Sequence, residues 1–344
     1  MDDIQKAERS KQRYAHLLGR ISRQKQELAE RLAETKRLFV TPALAVEIHT
    51  HSIYSDGVGT VEENYECAMN AGLDFMFATD HWQIGQKEVT DGLEHASWGQ
   101  EPGGRYHHIG LLCNTLQYVD QDFSTAENFD RAKLLTPFAW IPHPTGWYGF
   151  SYKDEAVEKL WTLGNEFAME TMNGGDRLFQ AYDEYDERAI QVWDQLLCDG
   201  RRIISLGGSD AHLPDDIGSV WTAVMTSECN EDAIIKTLQA GHCYSSEASL
   251  LDFQCDGQPM NSVLKRPSGA DLKLTYRVAD SAGLQRIRII SMGQAIDEIF
   301  PKGGQLITGE LTTTCGITPA YYRLEVQSTD NRRAFSTPIY FEPA

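Results

Sequence analysis

Four apolar runs in this sequence each end in histidine, or in aspartate followed closely by histidine: VEIHTH, FMFATDH, AWIPHP and IISLGGSDAH. In an extended strand, residues i and i+2 point to the same side. His49 and His51 therefore present two imidazoles together, and Asp210 and His212 form a second such pair. Asp80 and His81 close the second run, His143 closes the third, and Asp56 follows the first in a Ser-Asp-Gly turn. Histidines that merely fill a core have no reason to collect at strand ends. Nitrogen and oxygen donors converging from several rigid elements are what a metal ion requires. A fold that satisfies all four runs must bring the C-terminal ends of its strands to one face, as βα barrels do when they build active sites.

The spacing agrees. From about residue 42, short apolar runs at 44–49, 74–79, 108–113, 138–141, 168–172, 202–206 and 220–225 alternate with amphipathic stretches such as VEENYECAMNAG, DERAIQVWDQLLCDG and NEDAIIKTLQAG. The last two end in Gly after the final apolar turn, a helix stop signal. Strands alternating with helices predict parallel βα units, and seven strands predict a barrel somewhat smaller than the usual eight-stranded one. After about residue 248 the helical period gives way to strict alternation: Leu272, Leu274, Tyr276 and Val278 share a face, as do Ile287 with Ile289 and Leu324 with Val326. That pattern predicts a β-sandwich. The expected organisation is an N-terminal helical arm over 1–41, an α/β barrel over 42–248 and a β-sandwich over 249–344.

Charge separates the arm from the rest. The chain carries a net charge of −19, yet residues 1–40 hold ten Lys/Arg against six Asp/Glu, a net of +4 that leaves −23 elsewhere. Phosphate backbones need clustered cations, so nucleic acid is an improbable partner, and in the arm the bases alternate with acids. Tyr14, Leu18, Ile21, Leu28, Leu32 and Phe39 form a rough heptad stripe interrupted by Lys25. The stripe fits a homodimer contact, as the sandwich also does, or a helix laid on its own domain. No run approaches the length of a membrane span, and the polar start MDDIQKAERSK is no secretory signal. Seven cysteines (Cys67, Cys113, Cys198, Cys229, Cys243, Cys255, Cys315) never spaced CxxC argue against disulfides and zinc–thiolate sites and fit a cytoplasmic protein.

Taken in order, His-x-His with Ser-Asp-Gly, Thr-Asp-His, His-Pro and Ser-Asp-Ala-His resemble the PHP (polymerase and histidinol phosphatase) metal-dependent phosphoesterases over about residues 45–248. The C-terminal YYRLEV and FSTPIYF are similar to the PHP subgroup named for carbaryl hydrolases. The resemblance implies a distorted seven-stranded barrel, (βα)7, holding two or three divalent ions. His49, His51 and Asp210 would hold one, with a bridging glutamate. That glutamate, His143 and a mid-chain histidine would hold the second, and Asp56, His81 and His212 the third. Within DGLEHASWGQEPGGRYHHIGLLC the resemblance points to Glu94 as the bridge and His108 as the histidine, with Glu88, His95 and His107 in reserve. Asp210, His212 and Glu94 are thereby the residues expected to carry catalysis.

Other positions receive plainer expectations. His16 is expected to face solvent and His242 to be structural. Glu170 and Asn173 in AMETMNGG end a strand on the predicted site face, where they would touch substrate or support loops. Trp82 and Trp147 adjoin ligand motifs and would wall a pocket, and Arg105 and Lys153 are the nearest cations. A donor set of histidine and carboxylate without thiolate suits Zn, Mn or Fe. Two such ions sharing a carboxylate hold a bridging hydroxide nucleophile at neutral pH. The function expected is hydrolysis of a small-molecule phosphate ester, with a carbamate or amide ester on the same site as an alternative. A non-catalytic metal-binding or assembly protein is a third reading.

Overall fold

The computed structural model describes residues 18–113, 122–177 and 179–344, and His16 and Tyr14 lie outside them. After the helix Leu18–Leu38, the first half alternates strands β1 (Leu44–Glu47), β2 (Phe75–Ala78), β3 (Ala96–Gln100), β4 (Gly110–Leu112) and β5 (Phe138–Trp140) with helices Val61–Asn70, Lys87–Thr90 and Thr125–Ala132. A small hairpin, β6 (Gly146–Trp147) and β7 (Phe150–Ser151), precedes β8 (Glu166–Asn173), helix Glu184–Cys198, β9 (Arg202–Gly208), β10 (Trp221–Val224), helix Glu231–Gln239 and β11 (Cys243–Ser246). Local chemistry sets the helix ends. Thr60 with Glu63, Ser124 with Glu127 and Asp183 with Asp186 each form a reciprocal capping box. Gly200 and Gly241, with φ of 85° and 68°, follow the predicted stops.

The second half is all β: β12 (Leu250–Cys255), β13 (Val263–Arg266), β14 (Asp271–Ala279), β15 (Leu284–Ser291), β16 (Gln294–Ile299), β17 (Leu306–Thr314), β18 (Ala320–Ser328), β19 (Arg333–Ser336) and β20 (Ile339–Pro343). The alternating residues Leu272, Leu274, Tyr276 and Val278 are buried against Ile287, Ile289, Leu324 and Val326 in one core. The boundary expected at 248 is not a break in hydrogen bonding. β11 pairs antiparallel with β19, so one large sheet runs β13-β20-β18-β19-β11-β10-β1-β2-β3-β4-β5 through both halves.

The molecule is thus a mixed α/β protein, and its strands depart from a regular (βα)7 pattern. β1–β2, β2–β3 and β8–β9 are parallel, whereas β3–β4, β4–β5 and β1–β10 are antiparallel. Parallel bridges Ile141↔Met169 and Thr50↔Ala211 carry the order from β5 to β8 and from β9 back to β1. Two expectations are corrected here. β3, whose Ala-Ser-Trp-Gly-Gln sequence has little β-branched or aromatic character, is a strand not foreseen. The run at 220–225 pairs antiparallel beside β1.

The N-terminal helix lies on its own chain. Leu32 and Phe39 are buried in the same core as the alternating residues of β14, β15 and β18, and Thr35 Oγ1 accepts from Ser281 N. Lys36 Nζ meets Asp74 at 2.7 Å. Arg31 pairs with Asp280 at 2.7 Å and Asp330 at 2.8 Å, joining the helix to the turns that follow β14 and β18. Leu32 and Phe39 of the apolar stripe are thus packed within the chain. No helix among the described residues is long and apolar enough to cross a membrane.

The Asp280 side chain is fully buried and that of Arg31 is 8% exposed. Removing one partner of such a pair strands the other charge. Asp280→Ala is expected to lower stability by about 3–5 kcal/mol in urea unfolding. Arg37→Ala, whose partner Glu34 is largely exposed, should change it by less than about 1 kcal/mol. Equal effects of the two would refute this account of how the helix is held.

Candidate metal centre

β1 delivers His49 and His51 just past its end, and their Nε2 atoms approach to 3.2 Å. β9 delivers Asp210 beside them, and Gly208 permits the approach, since a Cβ there would fall 2.6 Å from His49 Cβ. The ring of donors is closed by a carboxylate that begins immediately after β3: Glu101. Its Oε2 lies 3.2 Å from His49 Nε2 and 3.3 Å from His51 Nε2. Asp210 Oδ1 is 3.3 Å and 3.1 Å from the same nitrogens. A tetrahedral ion with ligand bonds of about 2.0–2.1 Å separates its donors by about 3.3–3.4 Å. Five contacts among these four donors therefore have nearly the edge length of a metal tetrahedron.

Glu101 faces a second group with its other oxygen. Oε1 is 2.7 Å from His143 Nε2 and 2.9 Å from His108 Nδ1. A third group gathers on Asp56, whose Oδ1 lies 3.3 Å from His212 Nε2, 3.5 Å from His81 Nε2 and 4.0 Å from His51 Nδ1. Buried His51 Nδ1, Asp56 Oδ1 and Glu101 Oε2 have no hydrogen-bond partner. Unsatisfied buried polar atoms are costly, and here three of them aim into the donor groups. The residues fit divalent ions.

The surroundings orient the rings as metal-binding imidazoles need. His81 Nδ1 donates to the Glu101 carbonyl at 2.8 Å and His212 Nδ1 to the Asp210 carbonyl at 3.0 Å, leaving each Nε2 turned to Asp56. His49 Nδ1 meets Glu170 Oε1 at 2.8 Å. Glu170 also accepts from Trp140 Nε1, the His143 amide and Asn173 Nδ2. Asp80 accepts from the Ser52 amide and from the hydroxyls of Ser52 and Ser55, fixing the turn that leads to Asp56. Two donor residues, His143 (φ 31°) and Asp210 (φ 48°), hold left-handed backbone, a conformation that non-glycine residues keep where surroundings impose it.

Electrostatics follow from crowding. Burial opposes the charge on Glu101, yet His49, His108, His81 and His143 hold its carboxyl well below the usual range. Asp56 is likewise depressed: burial opposes, but His212 and its neighbours prevail. Burial lowers His51, but hydrogen bonds to Asp210 and Glu101 raise it to about 10. Burial and the charge of His51 press His81 down to about 4.

A cleft of about 300 Å³ opens onto the groups, lined by Asp56, His81, Glu101, His108, His143, Trp147, Gly175, Asp176, Asp210 and His212. The structure brings His49, His51, Asp56, His81, His108, His143, Asp210 and His212 together. Glu94 is not with them. It is exposed ahead of β3, and the carboxylate among the histidines is Glu101, 20 residues beyond His81. The strand-end rule that located the other donors applies to Glu101 too, but β3 itself was not recognised.

Of the reserves, Glu88 is exposed, His95 lies near Cys229 Sγ, and His107 is buried against the Pro144 carbonyl. Glu170 and Asn173 are buried behind the histidines and outside the cleft lining. Trp147 lines the cleft, its ring 5.0 Å from that of His143. Trp82 is half-buried outside the lining, and Arg105 is exposed over the Tyr106 ring. His242 is half-buried, with its carbonyl accepting from Met225 N.

Residues 197–243 match a family model described as PHP-associated. No curated protein matches the sequence. Among solved structures, the chain is similar to a two-domain protein from Bacteroides vulgatus containing a predicted PHP-like metal-dependent phosphoesterase, at 16% identity over 88% of this chain and 96% of that one, with a TM-score of 0.46. It is also similar to PsfC from Pseudomonas syringae, at 16% identity over 57% and 87% of the two chains, TM-score 0.42. A fibronectin(III)-like module structure from Clostridium thermocellum CbhA matches at 18% identity over 28% and 99%, TM-score 0.21.

A metal bound here would compete with protons for these donors. With His51 raised to about 10, metal-free protein gains stability from its proton below about pH 6.5, the ordinary value. That gain is lost as pH climbs toward 10. Ion binding needs the bare nitrogen, so loading with Zn²⁺ at pH 7.5 should release at least one proton per chain. Thermal melts should show the metal-free protein weakening from pH 6 to 9.5 while zinc-dependent stabilisation grows. Weakly buffered titration without proton release would refute the account.

Proposed function

We propose that this chain is a metal-dependent hydrolase of the PHP type, built on a distorted barrel and acting on phosphate esters. The observation that carries the proposal is the set of 3.1–3.3 Å separations among His49, His51, Glu101 and Asp210, with Glu101 turning its second oxygen to His108 and His143. Divalent ions bound there would supply a water nucleophile at neutral pH and offset charge building on the ester. The nitrogen and carboxylate donors, free of cysteine, favour Zn, Mn or Fe. Glu101 is shared by the first two groups, and Asp56, His81 and His212 line the same cleft, where an ion they held would offset charge on the leaving group. Glu170 keeps His49 oriented from behind through its Nδ1.

A second reading has its own support. Among the described residues lining the cleft there is no Arg or Lys, while Trp147 contributes an aromatic wall. A phosphate monoester normally meets a cationic clamp, and a neutral carbamate or carboxylic ester does not require one.

Protein purified without chelator, with its metal content measured, should hold two or three ions per chain and hydrolyse aryl phosphates faster than aryl carbamates. The reverse order would select the second reading. Dialysis against chelator should abolish turnover and Mn²⁺ or Zn²⁺ restore it. His49→Ala and Asp210→Ala should each lower kcat/KM by more than about 100-fold, since even outer-shell changes at metal sites cost 10–100-fold. Wild-type turnover in both variants would refute the proposal.

A further inference from the structure

The helix Leu18–Leu38 reaches the metal centre from outside. Leu28 packs with Val58, Phe179 and Leu213 in a small apolar cluster of its own. These three residues belong to three different loops, and each loop supplies a residue of the cleft: Asp56 just before Val58, Asp176 just before Phe179, and His212 next to Leu213. Leu28 is therefore a shared wedge beneath three cleft walls.

One turn earlier, Lys25 is buried, and its Nζ donates to the Pro214 carbonyl at 3.0 Å. Pro214 in turn packs on Gly59, where an added Cβ would come within 2.2 Å of Pro214 Cγ. The Val58 amide donates to the His212 carbonyl at 2.9 Å. The loops of Asp56 and His212 are thus tied to each other and to the helix.

This matters because the donor groups are placed by different means. His49, Glu101 and Asp210 sit within two residues of strand ends, and the amide of His51, four residues past β1, donates to the Ala211 carbonyl at 2.9 Å, so backbone pairing sets their positions. Asp56 lies nine residues past β1, and its separation from His212 depends on how the loops pack. We infer that Leu28 and Lys25 are positioning residues for the Asp56–His81–His212 group, so that the N-terminal helix is part of the metal centre without supplying a ligand. The inference rests on reading those three residues as a metal-binding group.

The test titrates chelator-stripped, full-length protein with Mn²⁺, following heat and free Mn²⁺ by electron paramagnetic resonance. Wild type should bind three ions. Leu28→Ala and Lys25→Met should bind two as before and the third about 10–100-fold more weakly. Leu28→Met, which restores volume, should recover the third. Leu32→Val, in the same helix but packed in the main core, should bind like wild type. Lys25→Met keeps the aliphatic stem and carries the test if Leu28→Ala does not fold. Unchanged third-ion binding in Leu28→Ala or Lys25→Met, or an equal loss in Leu32→Val, overturns the positioning role, as does a wild type that binds two ions only. A wild type that binds no ion refutes the metal centre itself.

Discussion

The carboxylate of Glu101 is almost completely buried, and four histidines hold it ionised. An ionised carboxylate taken out of water is sustained only by charges and donors brought close to it. His49 comes from the end of β1, His81 from the end of β2, His108 from the lead into β4, and His143 from the end of β5. The requirement to surround one buried charge thus dictates that these strands end at one place. The antiparallel turns at β3–β4 and β4–β5, which break the regular βα alternation, bring His108 and His143 to the same oxygen of Glu101. The irregularity of the sheet and the geometry of the donors are one constraint.

Behind the donors lies a second set of carboxylates that face no cleft. Glu170 receives donors from His49, Trp140, His143 and Asn173. Glu47 accepts from the His49 and Ser209 amides, and burial pushes it up to about 7. These groups join β5 to β8 and β9 to β1, where only the isolated bridges Ile141↔Met169 and Thr50↔Ala211 pair the backbone. Their polar atoms replace the ladder that closely paired parallel strands would supply, and they hold imidazoles at fixed angles as well.

Much of the site was legible because strand ends concentrate chemistry. A histidine two residues from another, at the end of an apolar run, has few structural explanations. Glu101 escaped because its strand, ASWGQ, shows neither alternation nor β-branched enrichment, and without a strand there is no strand end. The role of Glu170 was half visible: its place on the face was correct, but depth below the cleft is a tertiary property. The continuity of β11 with β19 was illegible for a similar reason. Both halves have the expected periodicity, and pairing across a boundary depends on edges that sequence patterns do not mark. The helical stripe at Leu28, Leu32 and Phe39 was legible as an apolar face, but a second copy and the chain's own core were equally open as its cover; Leu32 and Phe39 are buried in the chain's own core.

Charge had to be read at two scales. A net charge of −19 describes the surface and governs long-range encounter. Inside the cleft the lining offers Asp56, Glu101, Asp176 and Asp210 with no Arg or Lys among the described residues. Without ions, these carboxylates are offset by imidazoles whose protonated form their neighbours favour, His49, His51, His143 and His212. Divalent ions would displace those protons and set more positive charge against the four carboxylates. Binding of an anionic substrate would then strengthen with metal occupancy. A site arranged this way has its affinity and its chemistry set by the same ions.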